Sequence, residues 1–187
     1  MNYSALKYND VSNGEGIRTS LFVSGCRHAC KGCFNREAWD FTAGKPFTQA
    51  VAEDILASLQ PPYIRGLSIL GGEPLEPENQ AVLLPFFSQV KATFPKKTIW
   101  LYTGDILEDL LDTSYSRHTD DTASLLSYID VLVDGLFEEE KKDITLRFRG
   151  SSNQRIIDLP QTLAHGKVFL WNDKGLYSRE TKFPGLD

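Results

Sequence analysis

The chain has 187 residues, of which 41% are hydrophobic and 24% charged, and its formal net charge is -5. That length suits one domain with a sizeable core. The acidic balance is the opposite of the basic surface that nucleic-acid-binding domains present to phosphates, so no DNA or RNA partner is expected. No apolar run approaches the roughly 18–20 residues that span a bilayer, and the stretch from Met1 to Thr19 is polar, unlike a secretory leader. The expectation is a cytoplasmic protein with no membrane partner.

Residues 19–24, Thr-Ser-Leu-Phe-Val-Ser, read as a buried strand that runs into the loop from Gly25 to Phe34. All three cysteines of the chain, Cys26, Cys30 and Cys33, stand in that loop. An odd, clustered count argues against a disulfide framework and for an intracellular metal or redox site. The C-x3-C-x2-C spacing offers three thiolates, one fewer than usually hold a cubane 4Fe–4S cluster. It would leave one iron without a protein thiolate, and an open metal position is where substrate can bind. The residues also admit a structural zinc knot with His28 as fourth ligand, although its ring would have to fold back from between two ligands onto the same metal.

Thr48 to Leu59 has helical spacing, with Thr48 placed to cap it. Gly66 to Leu70 is a short strand stopped by Gly71 and Gly72, which let backbone approach a ligand closely. Glu73 follows as an acceptor for an ammonium group, and Pro74 as a breaker; a plain strand-to-loop turn is the alternative. Residues 78–93 form a second helix with a bend expected at Pro85. Thr98 to Tyr102 is a strand ending at Thr103 and Gly104. Short helices are expected over Ile106 to Leu111 and up to Tyr128. Ile129 to Val133 is a strand that delivers Asp134 and Gly135 to its end, where Asp134 could meet a ribose hydroxyl or a monovalent cation, or cap the next turn. The run from Glu138 to Asp143 reads as a solvated segment, and Arg149 to Asn153 as a polar loop able to contact a carboxylate or an extended peptide. Further strands are possible near Thr145 to Phe148 and Val168 to Leu170. Arg18 reads by default as a surface side chain.

Strands alternating with helices imply an α/β fold with a parallel sheet, whose strand ends gather the cysteine loop, Gly71 to Pro74, Tyr102 to Gly104 and Asp134-Gly135 on one rim. A full eight-fold (βα) barrel takes about 250 residues. The chain is too short for one with its loops, and the expectation is one domain over 1–187.

The cysteine loop after the first strand and Gly71-Gly72-Glu73-Pro74 after the next resemble the two hallmark motifs of the radical S-adenosylmethionine (SAM) superfamily. Asp10 to Asn35, Asp130 to Gly135, and Arg149-Gly150-Ser151-Ser152-Asn153-Gln154-Arg155 narrow the resemblance to the activating proteins of anaerobic (class III) ribonucleoside-triphosphate reductase. It runs in order over about residues 1–160 and leaves 166–187 as an extension without an assigned role. The resemblance implies an incomplete parallel (βα) barrel of the radical SAM type, with an open side that a loop of a partner protein could enter, and a 4Fe–4S cluster on Cys26, Cys30 and Cys33, with SAM on the fourth iron. It implies SAM contacts from Gly71, Gly72, Glu73, Thr103 and Asp134, with Phe34 covering the adenine or the cluster. It further implies removal of a hydrogen atom from a glycine of the reductase and an electron donor of the flavodoxin or ferredoxin type. Some related enzymes carry a lysine two residues after the aspartate; Leu136 stands there in this chain. The competing expectations are another small radical SAM enzyme, of the 7-deazapurine type or activating a different glycyl radical enzyme, and a non-catalytic iron–sulfur or zinc protein.

Overall fold

The computed structural model describes residues 1–33 and 35–172. Strands β1 (Asn2–Asp10), β2 (Ile17–Val23) and the two-residue β3 (Lys45–Pro46) come first, followed by helix α1 (Gln49–Ser58). Then follow β4 (Ile64–Gly71), α2 (Pro77–Thr93), β5 (Thr98–Tyr102), α3 (Leu107–Leu111), α4 (Thr122–Ser127), β6 (Val131–Asp134), β7 (Arg155–Asp158) and α5 (Leu159–His165). The seven strands form one sheet in the order β3-β1-β2-β4-β5-β6-β7.

The expected parallel sheet is present as β2-β4-β5-β6, but both flanks are antiparallel: β1 against β2, β3 against β1, and β7 against β6. The fold is a mixed α/β sheet with two edges rather than the wholly parallel one expected. Hairpin-like returns at each flank need no crossover helix, which is how seven strands fit into so short a chain. Thr145 to Phe148 is a series of turns, not a strand, and near Val168 to Leu170 only the bridge from Leu170 to Ile157 forms. Helix α2 runs unbroken through Pro85 and starts at Pro77, whose missing N–H costs nothing in the first turn.

Strand residues alternate between two faces. Leu21, Val23, Leu67, Ile69, Ile99, Leu101 and Leu132 face the helices and bury against Ile55, Leu83, Phe87, Val90, Leu110 and Leu125. The other face carries Trp100, Val131 and Val133 beneath Phe148 and Trp171. Arg18 lies within the fold at 1% exposure, contrary to its default reading. Its Nε donates to Ser68 Oγ (2.7 Å), and its Nη2 to the carbonyls of Leu67 and Thr98 (both 2.8 Å). Nη1 reaches Thr98 Oγ1 at 2.9 Å, and the guanidinium sits 5.5 Å from the Trp100 ring centroid. Burial lowers its pKa to about 10, so it is charged at neutral pH. It thus staples β2, β4 and β5 across the face opposite the helices. Among the described residues no helix is long and apolar enough to cross a membrane.

Candidate functional site

Strand β2 ends at Val23, and the cysteine loop leaves it through Ser24 and Gly25. The loop is held from below by backbone bonds: Gly25 N–H to Ala38 O (2.8 Å), Cys26 N–H to Trp39 O (3.1 Å) and Glu73 N–H to Gly25 O (2.7 Å). Gly25 has φ +95°, and a Cβ there would stand 2.4 Å from the Phe41 ring, so glycine is required at the turn. Cys26, Cys30 and Cys33 are free thiols of intermediate exposure. Burial pushes the Cys26 thiol up to about 11, opposed by the backbone N–H groups of His28 and Ala29 that point at its sulfur. The N–H of Phe137 points in the same way at Cys30. N–H groups aimed at cysteine sulfurs are a feature by which proteins tune iron–sulfur clusters.

The three cysteines open onto a cavity of about 380 Å³, within the range of small-molecule sites. Gly71, Gly72, Glu73, Thr103 and Gly104 line one wall, and Phe137, Phe148, Arg149 and Gln154 another. Gly72 is packed so closely that a Cβ would stand 2.5 Å from Gly25 O. The soft thiolate donors on a half-exposed loop fit an iron–sulfur cluster, and the glycine-lined strand ends leave room beside it for a ligand.

Glu73 is 1% exposed, and its carboxylate is occupied by the protein. Oε1 accepts from Leu75 N–H at 2.8 Å; Oε2 accepts from Gly104 N–H at 2.8 Å and meets His28 Nε2 at 3.0 Å. His28 also lies 3.4 Å from Asp105 Oδ1. Burial opposes a charge on the imidazole, but the hydrogen bond and charge of Glu73, then the charge of Asp105, outweigh it and raise the pKa of His28. Asp105 accepts from Tyr115 (2.5 Å) and Arg117 (2.9 Å); burial, then the charge of Glu73, raises its pKa. Arg27, next to His28, pairs with Glu76 and Glu78 at the start of α2. A buried polar network therefore backs the cysteine loop; sequence reasoning had singled out its Glu73, and His28 only as a zinc ligand, but not Asp105, Tyr115 or Arg117.

Thr103 is 5% exposed, lines the cavity, and accepts from Asp105 N–H through Oγ1 at 3.1 Å. Asp134 is completely buried and does not line the cavity: Arg155 and the Leu107 N–H take up its oxygens. Phe34 lies outside the described residues. In the stretch Arg149 to Arg155, Ser151 is buried and Asn153 donates to Leu136 O at 2.7 Å. Gln154 Oε1 accepts from Gly150 and Ser151, and its Nε2 donates to Gly135 O. These side chains hold the turn after β6, and of the stretch Arg149, Gly150 and Gln154 border the cavity.

The α/β sheet with its three-cysteine loop is of the iron–sulfur class: residues 12–157 match the family model described as a 4Fe-4S single cluster domain. Relatives named "Anaerobic ribonucleoside-triphosphate reductase-activating protein" include one from Pasteurella multocida (strain Pm70), 46% identical over 163 residues, covering 86% of this chain and 99% of that protein. Another, from Haemophilus influenzae (strain ATCC 51907 / DSM 11121 / KW20 / Rd), is 45% identical and covers 83% of this chain and 97% of that protein. A third, from Escherichia coli (strain K12), is 40% identical and covers 82% and 96%. The chain belongs to the family of anaerobic ribonucleoside-triphosphate reductase-activating proteins.

Proposed function

We propose that the protein is a radical SAM activating enzyme for an anaerobic ribonucleoside-triphosphate reductase. The observation that carries this reading is the shared cavity: three cysteines of one loop face the glycine-lined ends of β4 and β5, in a chain whose relatives bear the activating protein's name. A reduced 4Fe–4S cluster would supply one electron to the sulfonium of SAM, so that its S–C5′ bond breaks to give methionine and a 5′-deoxyadenosyl radical able to take a hydrogen atom from a reductase glycine.

Cys26, Cys30 and Cys33 would hold three irons. Gly71 and Gly72 keep the β4 end free of side chains, so a ligand can lie against backbone. Thr103 and Gly104 form the adjoining strand end. Leu146 and Phe148 line the same cavity with apolar side chains and would limit water there. The parallel strands β2, β4, β5 and β6 read as part of an incomplete barrel within one domain, its open side admitting the glycine-bearing loop. A flavodoxin- or ferredoxin-type protein would deliver the electron.

Electron paramagnetic resonance on anaerobically reconstituted, reduced protein, with and without SAM, tests the reading. A cluster signal that changes with SAM, followed by a glycyl radical signal once the reductase is added, is the expected result. A signal indifferent to SAM, or zinc in place of iron, would sink it.

A further inference from the structure

His28 stands between two cysteines of the loop, yet its Nε2 is spent on Glu73 at 3.0 Å rather than on a metal. The oxygen it meets, Glu73 Oε2, also accepts the Gly104 N–H at 2.8 Å. One carboxylate oxygen therefore joins the loop after β2 to the backbone at the end of β5, while Oε1 anchors the same carboxylate to the turn after β4 through Leu75 N–H. The ring lies flush against Gly104: a Cβ at that position would stand 2.8 Å from both Cδ2 and Nε2 of His28. Gly104 is thus a glycine because the histidine occupies the space. Among the described residues, His28 alone carries side-chain hydrogen-bond or ion-pair contacts from the cysteine loop to the β5 end, through Glu73 and through Asp105 at 3.4 Å. Arg27 ties the loop to α2 and Lys31 ties it to Glu139 and Glu140, which are different directions.

We infer that His28 is a positioning residue that fixes the spacing between the cysteine loop and the β4 and β5 strand ends, through Glu73 and Gly104, and so sets the affinity of the cavity for SAM. The inference rests on the reading of that cavity as the SAM site. A ligand that must reach the cluster and the two strand ends at once is sensitive to their separation, because bound geometry has to hold within a fraction of an ångström. The strand-end walls, Gly71 to Glu73 and Thr103 to Gly104, continue the sheet, whereas the cysteine loop lies outside it, and His28 with Glu73 ties that loop to the end of β5. Glu73 then serves SAM by holding its surroundings rather than by meeting an ammonium group directly.

The test measures SAM affinity by equilibrium dialysis on the reconstituted protein, with iron and sulfide content determined for the same samples. His28→Ala should keep the cluster and weaken SAM binding by about tenfold or more, the scale of losing a supporting hydrogen bond around a metal centre. His28→Gln, which can still donate to Glu73, should recover most of that loss. Wild-type affinity in His28→Ala would overturn the inference, as would loss of iron in both variants, which would make His28 a ligand. If the alanine protein alone does not reconstitute, His28→Phe decides, since its ring fills the space against Gly104 but cannot donate to Glu73: a loss of SAM affinity of about tenfold or more upholds the tie, and undiminished affinity overturns it. Failure of the wild-type protein with its cluster to bind SAM would instead overturn the reading of the cavity, and the inference with it.

Discussion

Arg155 donates to both carboxylate oxygens of Asp134, Nε to Oδ1 at 2.9 Å and Nη2 to Oδ2 at 2.5 Å, on an aspartate with no solvent exposure. The Glu108 carboxylate receives the other side of the same guanidinium. The hydrogen bonds to Asp134, then to Glu108, raise the pKa of Arg155, so its guanidinium stays charged. Removing one partner of a buried pair strands the other charge, at a cost of about 3–5 kcal/mol. Arg155→Met should lie near the lower end, since the arginine is 31% exposed and water can reach the vacated position. Urea unfolding of the cluster-free protein measures it, and a loss below about 1 kcal/mol would show Asp134 to be neutralised some other way.

The same pair shows where sequence reasoning stops. Asp134 was legible as the residue ending an apolar strand, and Arg155 as the last residue of a polar signature; nothing in either pattern says that they meet. The motif residues at the ends of β2, β4 and β5 were readable because a glycine or a cysteine after an apolar run leaves few alternatives, and Cys26, Gly72 and Thr103 do line one cavity. The antiparallel edges were not readable. β1 contains Asn2, Ser4, Lys7, Asn9 and Asp10, too polar to stand out from a loop, and β7 has four residues behind a turn. Arg18 was misjudged because burial of a guanidinium depends on acceptors from two other strands, which are distant in sequence.

That arginine gives a second prediction. Its partners, the Ser68 and Thr98 hydroxyls and the Glu15, Leu67 and Thr98 carbonyls, are neutral, and each would lose the donor that the guanidinium supplies if it were removed. Arg18→Met should destabilise the cluster-free protein by on the order of 3 kcal/mol, the cost of orphaning buried acceptors. Arg18→Lys should recover little, because an ammonium is a single point of donation and cannot span three strands as a planar fork does. Recovery of wild-type stability with lysine, read from the urea midpoint, would show that charge rather than fork geometry matters here.

Gly72 and Gly166 make a controlled comparison. A methyl group at Gly72 would stand 2.5 Å from Gly25 O and 2.9 Å from Ala38 O, both backbone atoms beneath the cysteine loop. Gly72→Ala should lower the iron and sulfide retained per chain after reconstitution and cost about 1–3 kcal/mol by overpacking. Gly166 caps α5 at φ +62° with nothing within 4 Å of a Cβ. Gly166→Ala should cost about 1 kcal/mol through backbone strain alone and keep its full cluster. Equal iron contents in the two variants would mean that the Gly72 contact does not control the loop.

Trp171 lies beyond the residues that match the family model, yet it closes the face of the sheet opposite the helices. Its ring meets Trp100 edge-on at 5.1 Å and Phe148 at 6.2 Å, while its N–H donates to Ile156 O at 2.8 Å. Phe148 in turn sits 5.2 Å from Trp100 and lines the cavity, held at φ +56°. The backbone at 171 therefore continues the sheet edge, and the side chain secures a residue of the cavity wall. Trp171→Ala should cost about 1–3 kcal/mol, two aromatic contacts of about 0.5–1.5 kcal/mol each, whereas Trp171→Phe should keep most of that stability. Combining Trp171→Ala with Phe148→Ala should cost less than the sum of the two, because the residues share a contact. Unfolding midpoints of the three variants and the double variant give the coupling directly. An additive result would separate the extension from the cavity wall, and a sub-additive one would make residues near 171 part of what holds Phe148 against the cavity.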